Sequence, residues 1–502
     1  MEAAMEQWVV EIWRAVNLHW IVDVWKAINN WIPIINLLFA AAIIFLERRN
    51  VGVTWAWLML LLLLPVLGFI IYIFIGQNLA RQKVYRIRAR MERRVREEMR
   101  EQEQTIHEGT FPYREAHVKQ YEHLIYMNLM SSASPLTQNN EVTLFIDGVK
   151  KFEALLERIA LAEDHIHLLY YKIGNDTTGH RLLKALVRKA QEGVKVRLLY
   201  DGIGSLGVTK KMFRELVDAG GIVCPFFPSK IPYINFRLNY RNHRKIAVID
   251  GEHGFIGGFN IGDEYLGLNH QIGYWRDTHL MLRGDAVHRL QVQFILDWGV
   301  ASNETLTIEP VYFPRLEDAD RTAVQIVSSG PNTDKQQIKN GYIKLIFEAK
   351  KSIYVQTPYF VPDDGILNAL RIAALSGIDV RIMIPKKSDH LLVHWASHAY
   401  IGDLLRVGAA CYLYDNGFLH AKTIMVDGQA AAVGTANMDH RSFELNFEIT
   451  AFLYGTEVTA RLEAIFEQDM KKSELLTPEK FEQRWLITRA AESMARLLSP
   501  IL

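Results

Sequence analysis

The sequence predicts an α/β protein made of two pseudo-symmetric sandwich halves preceded by transmembrane helices. Three observations carry this. One stretch occurs twice at identical spacing, the same order of strand and helix signals leads into each copy, and a long apolar run lies near the N-terminus.

The repeated stretch is HRKIAVIDGEHGFIGGFN at 243–260 and HAKTIMVDGQAAAVGTAN at 420–437. Aligned without a gap, the copies share five positions. These are His243, Lys245, Asp250, Gly257 and Asn260 in the first, and His420, Lys422, Asp427, Gly434 and Asn437 in the second. A β-branched, apolar run follows each lysine and reads as a strand. Side chains alternate faces on a strand, so His243 and Lys245 share one face, as do His420 and Lys422. Asp250 and Asp427 have the opposite parity, and each precedes a glycine, which is a hairpin-turn signal. Two readings of these aspartates stand: turn chemistry that supports the site, or direct catalysis. A second strand then returns to Gly257 and Asn260, or to Gly434 and Asn437. Glycine lets a backbone come close to a ligand. Histidine, lysine and asparagine converging from both copies give a donor-rich site with two imidazoles, which suits a phosphate diester.

The order ahead of each copy is the larger repeat. In the first half, 164–171 reads as a strand, 179–192 as a helix, 194–200 as a strand, 210–219 as a helix and 222–227 as a strand. In the second, the same order runs through 352–356, 365–376, 380–384, 394–407 and 410–414. Strands alternating with helices, duplicated at this scale, give the α/β sandwich halves. Residues 303–321, with Pro310 and Pro314, read as the connection.

The run from Trp55 to Ile75 is long enough to cross a bilayer as a helix, with Trp55, Trp57 and Tyr72 placed as an aromatic belt. Pro65 and Gly68 are tolerated in such a helix. Trp31 to Leu46 is a second candidate, joined to the first by Glu47, Arg48, Arg49 and Asn50. Five tryptophans between Trp8 and Trp31 suggest an interfacial helix over about 8–28. After Gly76 the chain turns basic, from Arg81 to Arg100. That predicts a helix leaving the bilayer on the cytoplasmic side and attracting anionic headgroups. The expected organisation is a membrane region over 1–80, a basic juxtamembrane helical linker over 81–135, a first half over 136–310 and a second over 321–502.

Composition narrows the function. A chain of 502 residues predicts more than one domain. A net charge of +1 and 49% hydrophobic residues fit neither a disordered chain nor a generic polyanion binder, so no nucleic-acid partner is expected. Cys224 and Cys411 sit at matching points of the repeat and read as buried thiols. No Cys/His cluster has zinc-ligand spacing.

The paired HxKxxxxD motif resembles the phospholipase D superfamily. Nearly the whole chain is similar to its bacterial cardiolipin synthase branch. The strings carrying this are ERRNVGVTWAWLMLLLLLPVLGF, PFFPSKIPYINFRLNYRNHRK, GFNIGDEYLG, YWRDTHL, NGFLHAKT, GTANMDHRSFELNFE and LLSPIL. The resemblance implies two phospholipase D-like halves, no cofactor, and phosphatidylglycerol and cardiolipin as membrane partners; oligomeric state stays open. It implies a cell-membrane, multi-pass protein with a cytoplasmic catalytic region that transfers a phosphatidyl group between two phosphatidylglycerols, releasing glycerol through a phosphatidyl-histidine. Its catalytic residues would be His243, Lys245, Asp250, His420, Lys422 and Asp427, with His243 as nucleophile and His420 as acid and base. Asn260 and Asn437 would hold phosphate oxygens. An acid opens an equivalent strand in each half, and the resemblance implies that it orients a histidine: Asp277 for His243 and Glu448 for His420. Rival readings are a phospholipase D-type hydrolase, another phosphatidyltransferase, and a membrane-anchored nuclease. Balanced charge and the apolar segment count against the nuclease.

Cys224 precedes its histidine by 19 positions and Cys411 by 9, so the first half carries an insertion within 226–240. Its aromatic and basic residues suit either a loop dipping into headgroups or core packing on the other half. His165, His167, His253, His270, His279, His390, His394 and His398 lack a motif partner and read as structural or surface residues.

Overall fold

A computed structural model describes residues 31–32, 34–41, 51–72, 99–227, 240–302, 304, 306–316 and 320–499. The expected interfacial helix over 8–28, the basic run over 81–98 and most of the insertion, 228–239, lie outside these residues.

Two compact units divide the chain: residues 1–79 with 229–239, and residues 80–228 with 240–502. In the first, the expected single helix from Trp55 to Ile75 is two helices, Val51–Leu63 and Pro65–Ile71. Pro65 has no N–H to give and crowds the preceding turn, so the helix breaks at Leu64. Gly68 then folds so close to Leu60 that a Cβ would lie 2.6 Å from its carbonyl oxygen. Asn36 ties the region together, its amide donating to the carbonyls of Leu61 and Pro65 at 3.2 and 3.0 Å. Among the described residues no helix is long and apolar enough to cross a membrane. Residues 42–46 and 73–75 of the two expected spans lie outside the described residues.

Among the described residues the larger unit holds two large sheets and a small two-stranded one. Strands β1 (Asn140–Asp147), β2 (His165–Tyr170), β3 (Lys195–Asp201), β4 (Ile222–Phe226), β5 (Arg241–Asn242), β6 (Ile246–Ile249), β7 (His253–Gly257) and β8 (Trp275–Gly284) come from the first half. The second half supplies β9 (Ala323–Ser329), β10 (Ser352–Gln356), β11 (Phe360–Val361), β12 (Asp379–Pro385), β13 (Ala410–Tyr414), β14 (Phe418–Leu419), β15 (Thr423–Val426), β16 (Ala430–Gly434), β17 (Met438–Asp439), β18 (Asn446–Tyr454) and β19 (Ser473–Leu476). One sheet has the order β1-β8-β7-β6-β2-β3-β4, and the other β19-β13-β12-β10-β15-β16-β18, with β9 also on β18. Strand for strand the orders match, apart from the extra edge strand β19. In each, three parallel strands lie to one side of an antiparallel hairpin that carries the motif.

The hairpins confirm the Asp-Gly signal. Asp250 and Gly251 have φ of 53° and 71°, and Asp427 and Gly428 have 56° and 67°. Positive φ at both central residues is the tight turn whose twist suits paired strands. One apolar cluster is shared by both sheets, with Ile246, Ile256 and Leu280 from the first and Val433, Ile449 and Ala451 from the second. The halves are thus joined by buried apolar surface, worth about 25 cal/mol per Å².

Two features differ from the sequence expectation. Strands β1 and β9, not anticipated, pair antiparallel with β8 and β18. The described part of the expected linker, from Met99, is packed into the second half: Val118, Tyr121, Leu124, Ile125 and Leu129 are buried in its core. Helix Glu122–Ser132 lies along this stretch and turns Leu124, Ile125, Asn128, Leu129 and Ser132 inward.

Candidate active site

Each histidine follows a two-residue strand that crosses into the other half. β5 pairs in parallel with β18, so the His243 amide donates to the Phe447 carbonyl at 2.9 Å. β14 pairs with β8, so the His420 amide donates to the Arg276 carbonyl at 2.7 Å. That exchange decides which acid each imidazole meets.

Asp277 and Glu448 do reach the histidines, but the expected pairing is reversed. His420 Nδ1 lies 2.6 Å from Asp277 Oδ2, and His243 Nδ1 lies 3.0 and 3.1 Å from the two Glu448 oxygens. The assignment by half fails because the residues just ahead of each histidine hydrogen-bond to the acid-bearing strand of the other half. Both acids are fully buried. Burial alone would raise them, yet opposing charges hold both below the usual carboxylate range: Lys422 and His420 for Asp277, His243 and Lys245 for Glu448. An ionised carboxylate can only accept, so each Nδ1 carries the hydrogen and each Nε2 keeps a lone pair.

Lys245 and Lys422 are buried beside their histidines, with Nζ donating to the carbonyls of His243 at 2.7 Å and His420 at 2.5 Å. Lys422 Nζ also lies 2.8 Å from His420 Nδ1, a contact that cannot be a donation once Nδ1–H points at Asp277. Burial lowers Lys245 to about 7 and Lys422 to about 8, against the pull of Glu448 and Asp277. Burial, then the Lys422 charge, takes His420 down to about 4, and burial also lowers His243. Each lysine acts on both histidines, so the two motifs form a single electrostatic site.

The two acids are supported differently. Gly258 is required next to Asp277, because a Cβ there would sit 1.9 Å from its Oδ1. In the second half the matching position is Thr435, whose hydroxyl donates to Glu448 Oε2 at 2.5 Å.

Asn260 and Asn437 are buried near the motif ends but already engaged. Asn260 accepts from the Lys172 amide and donates to the Tyr265 hydroxyl, both at 3.1 Å. Asn437 donates to Asp439 Oδ2 at 3.1 Å, and its Oδ1 has no hydrogen-bond partner. Each amide nitrogen keeps a second N–H.

Asp250 and Asp427 are not part of this cluster, which corrects their place among the expected catalytic residues. They cap the far ends of β6 and β15. Asp250 accepts from the amides of Glu163, Asp164 and His165 at 2.8–2.9 Å. Asp427 accepts from Lys350, Lys351 and Ser352 at 2.7–2.8 Å. Their opposite parity along the strand and the turn glycine already pointed this way.

Sequence reasoning missed several neighbours. The Tyr171 ring lies edge-on to His243 at 4.9 Å and under Lys245 at 5.2 Å, while Trp275 lies 5.0 Å from His420. Arg244 and Arg276 anchor the crossing strands. Arg244 pairs with Asp297 at 2.6 Å and donates to the Glu448 carbonyl, and Arg276 pairs with Asp469 at 2.9 Å. Arg244 was readable only as the variable residue of the motif. At the insertion, Phe226, Phe227 and Tyr240 are buried in the shared core, with Phe227 packed on Phe226 and Phe447. His165, His167 and His279 are buried structural residues, and Cys411 is a buried thiol while Cys224 is half-buried.

The family model described as cardiolipin synthase, PLD-like domain, matches residues 155–298 and 342–470. A phospholipase D-nuclease N-terminal model matches 34–77. A cardiolipin synthase of Listeria welshimeri is 52% identical over 93% of this chain and 98% of that protein. The major cardiolipin synthase ClsA of Bacillus subtilis is 51% identical over the same shares. The phosphatidylserine synthase of Haemophilus influenzae shares the fold, with a TM-score of 0.56 at 16% identity over 77% of this chain and 100% of that one. The chain therefore belongs to the bacterial cardiolipin synthases, phosphatidyltransferases of the phospholipase D superfamily.

Proposed function

We propose that the enzyme moves a phosphatidyl group from one phosphatidylglycerol to another, yielding cardiolipin and glycerol, with His243 and His420 as the reacting pair. The observation that carries this is the crossed pair of ionised acids, which leaves a lone pair on each Nε2 within one site. His243 Nε2 attacks phosphorus, a P–N bond forms, and the P–O bond to the leaving glycerol breaks as His420 gives that oxygen a proton. In the second step the headgroup hydroxyl of another phosphatidylglycerol attacks phosphorus. Its proton goes to His420, and the P–N bond breaks. His243 is assigned the attack by family resemblance, since the site is nearly symmetric.

With both imidazoles lowered by burial, the free site holds them neutral near pH 7. The proton on His420 then arrives with the anionic diester, whose charge raises that imidazole again. Lys245 and Lys422, with the spare N–H of Asn260 and of Asn437, would meet the non-bridging oxygens.

The N-terminal match and the apolar sequence over 55–75 support a membrane-associated, multi-pass chain. The basic run after Gly76 supports a cytoplasmic catalytic region and attraction to anionic headgroups. No nucleic-acid partner is proposed.

Incubation of the purified chain with vesicles of labelled phosphatidylglycerol tests the reading. Cardiolipin and free glycerol should appear in equal amounts, with excess chelator present. Phosphatidic acid as the main product would mean that water is the acceptor, and a loss on chelation restored by one particular ion would mean a metal step.

A further inference from the structure

The C-terminal helix leaves an apolar stripe uncovered on the catalytic unit. Helix Leu486–Leu497 turns Glu492 and Ala495 inward. At 100° per residue, Leu486, Ile487, Ala490, Met494 and Leu497 fall within one third of its circumference. That third faces away from the fold: Leu486, Ile487, Met494 and Leu497 are 79%, 78%, 63% and 75% exposed, and Trp485 just ahead of them is 80% exposed. Removing such side chains from water is favourable, so a row of them in water signals an unmet partner.

The flank of the stripe is basic. Arg406 and Arg496 share the carboxylate of Asp403 at 2.8 and 2.7 Å. Arg484 pairs with the buried Glu492, and Arg489 is exposed. Arg406, Arg489 and Arg496 thus stand against Asp403, while Arg484 is turned inward onto Glu492. An indole at the start of the stripe suits a boundary between apolar and polar surroundings.

We propose that this helix lies flat in the surface of an anionic bilayer, with its stripe among the upper acyl chains and its arginines among lipid phosphates. The stripe is about 18 Å long, a fit for an interfacial helix. A second copy of the chain is disfavoured by charge, since a self-complementary contact would bring the same arginine-rich flank against itself. The proposal rests on the reading that the substrate is a membrane phospholipid, and adds an attachment built into the catalytic unit itself.

The test uses the full chain carrying Met494→Cys with Cys224→Ser and Cys411→Ala, labelled with a polarity-sensitive fluorophore. Glu482→Cys in the same background is the water-facing control. In phosphatidylglycerol vesicles the Met494→Cys label should shift to the blue and be quenched by acyl-brominated lipid, while the control stays wet and unquenched. A wet label at 494 overturns the proposal. So does a blue shift without lipid quenching that comes with cross-linking between copies, which marks a protein interface. Separately, the triple change Leu486→Ser, Ile487→Ser and Leu497→Ser should lower synthesis on vesicles about tenfold and spare it on dispersed short-chain phosphatidylglycerol. Equal loss on both substrates overturns the proposal. Quenching needs no turnover, so a quenched label on a chain that makes no cardiolipin would defeat the functional reading and leave the docking intact.

Discussion

His420 Nδ1 and Asp277 Oδ2 lie 2.6 Å apart although 143 positions separate them and they come from different halves of the chain. His243 and Glu448 repeat the relationship across 205 positions. Neither half therefore contains a complete histidine–carboxylate pair, and the site exists only where the halves exchange strands.

The crossing makes a specific prediction for the acids. Asp277→Asn and Glu448→Gln should each lower turnover by about 10²–10⁴-fold, the scale of losing a tautomer-holding acid. In ¹⁵N-histidine spectra, the low-field Nδ1–H signal lost in Asp277→Asn should be the one lost in His420→Ala. Loss of the His243 signal instead would restore the pairing within a half.

The motif aspartates should act on stability instead. Asp250→Ala removes an acceptor for three amides and should cost about 3 kcal/mol or more, since hydrogen bonds to a charged group are worth about 1.5–3 kcal/mol each. The melting temperature should drop while turnover per folded molecule stays within about threefold. A collapse of turnover with unchanged melting would return Asp250 to the catalytic set.

Gly258 and Thr435 should respond in opposite ways to small changes. Gly258→Ala places a methyl group 1.9 Å from the Asp277 carboxylate in the present geometry and should cost at least about 100-fold in activity. Thr435→Ser keeps the hydroxyl that Glu448 accepts from and should stay within about threefold, whereas Thr435→Val should lose about tenfold. An active Gly258→Ala enzyme would mean that Asp277 is free to move.

The lysines set the alkaline limb of the pH profile. Lys245 and Lys422 are lowered to about 7 and about 8, and only their protonated forms attract a phosphate diester. Raising the pH removes those protons, so kcat/KM, which reports the free enzyme, should fall as pH climbs through 7–8. Lys245→Arg keeps its charge and should carry the limb upward, though with a lower plateau because the guanidinium is larger. A profile flat to pH 9 would show that neither ammonium is needed.

Much of this fold was legible in the sequence. The β-branched runs after each lysine, the Asp-Gly turns and the repeated strand–helix order marked both hairpins and the parallel strands beside them. The site residues could be named because two identical patterns were present. Their partners could not, because the two-residue strands Arg241–Asn242 and Phe418–Leu419 carry no signal of which sheet they join. Strand β1 did carry a readable alternation in VTLFID, while the burial of Leu124, Ile125 and Leu129 depends on a neighbour, helix Gln337–Glu348, far along the chain. The break at Leu64 had its cause in plain view at Pro65, but an apolar run reads the same whether or not it bends.

Covalent transfer through histidine within one composite site is read directly by rapid acid or base quenching. The enzyme is mixed with phosphatidylglycerol labelled in its acyl chains, quenched within one turnover, and mapped by peptide mass. A phosphatidyl group on the peptide containing His243 is predicted, absent in His243→Asn and accumulating when the acceptor hydroxyl is withheld. A phosphatidyl group on His420 would reverse the two roles; no phosphatidyl-enzyme at all, in a chain that still makes cardiolipin, would contradict covalent transfer and the scheme built on it.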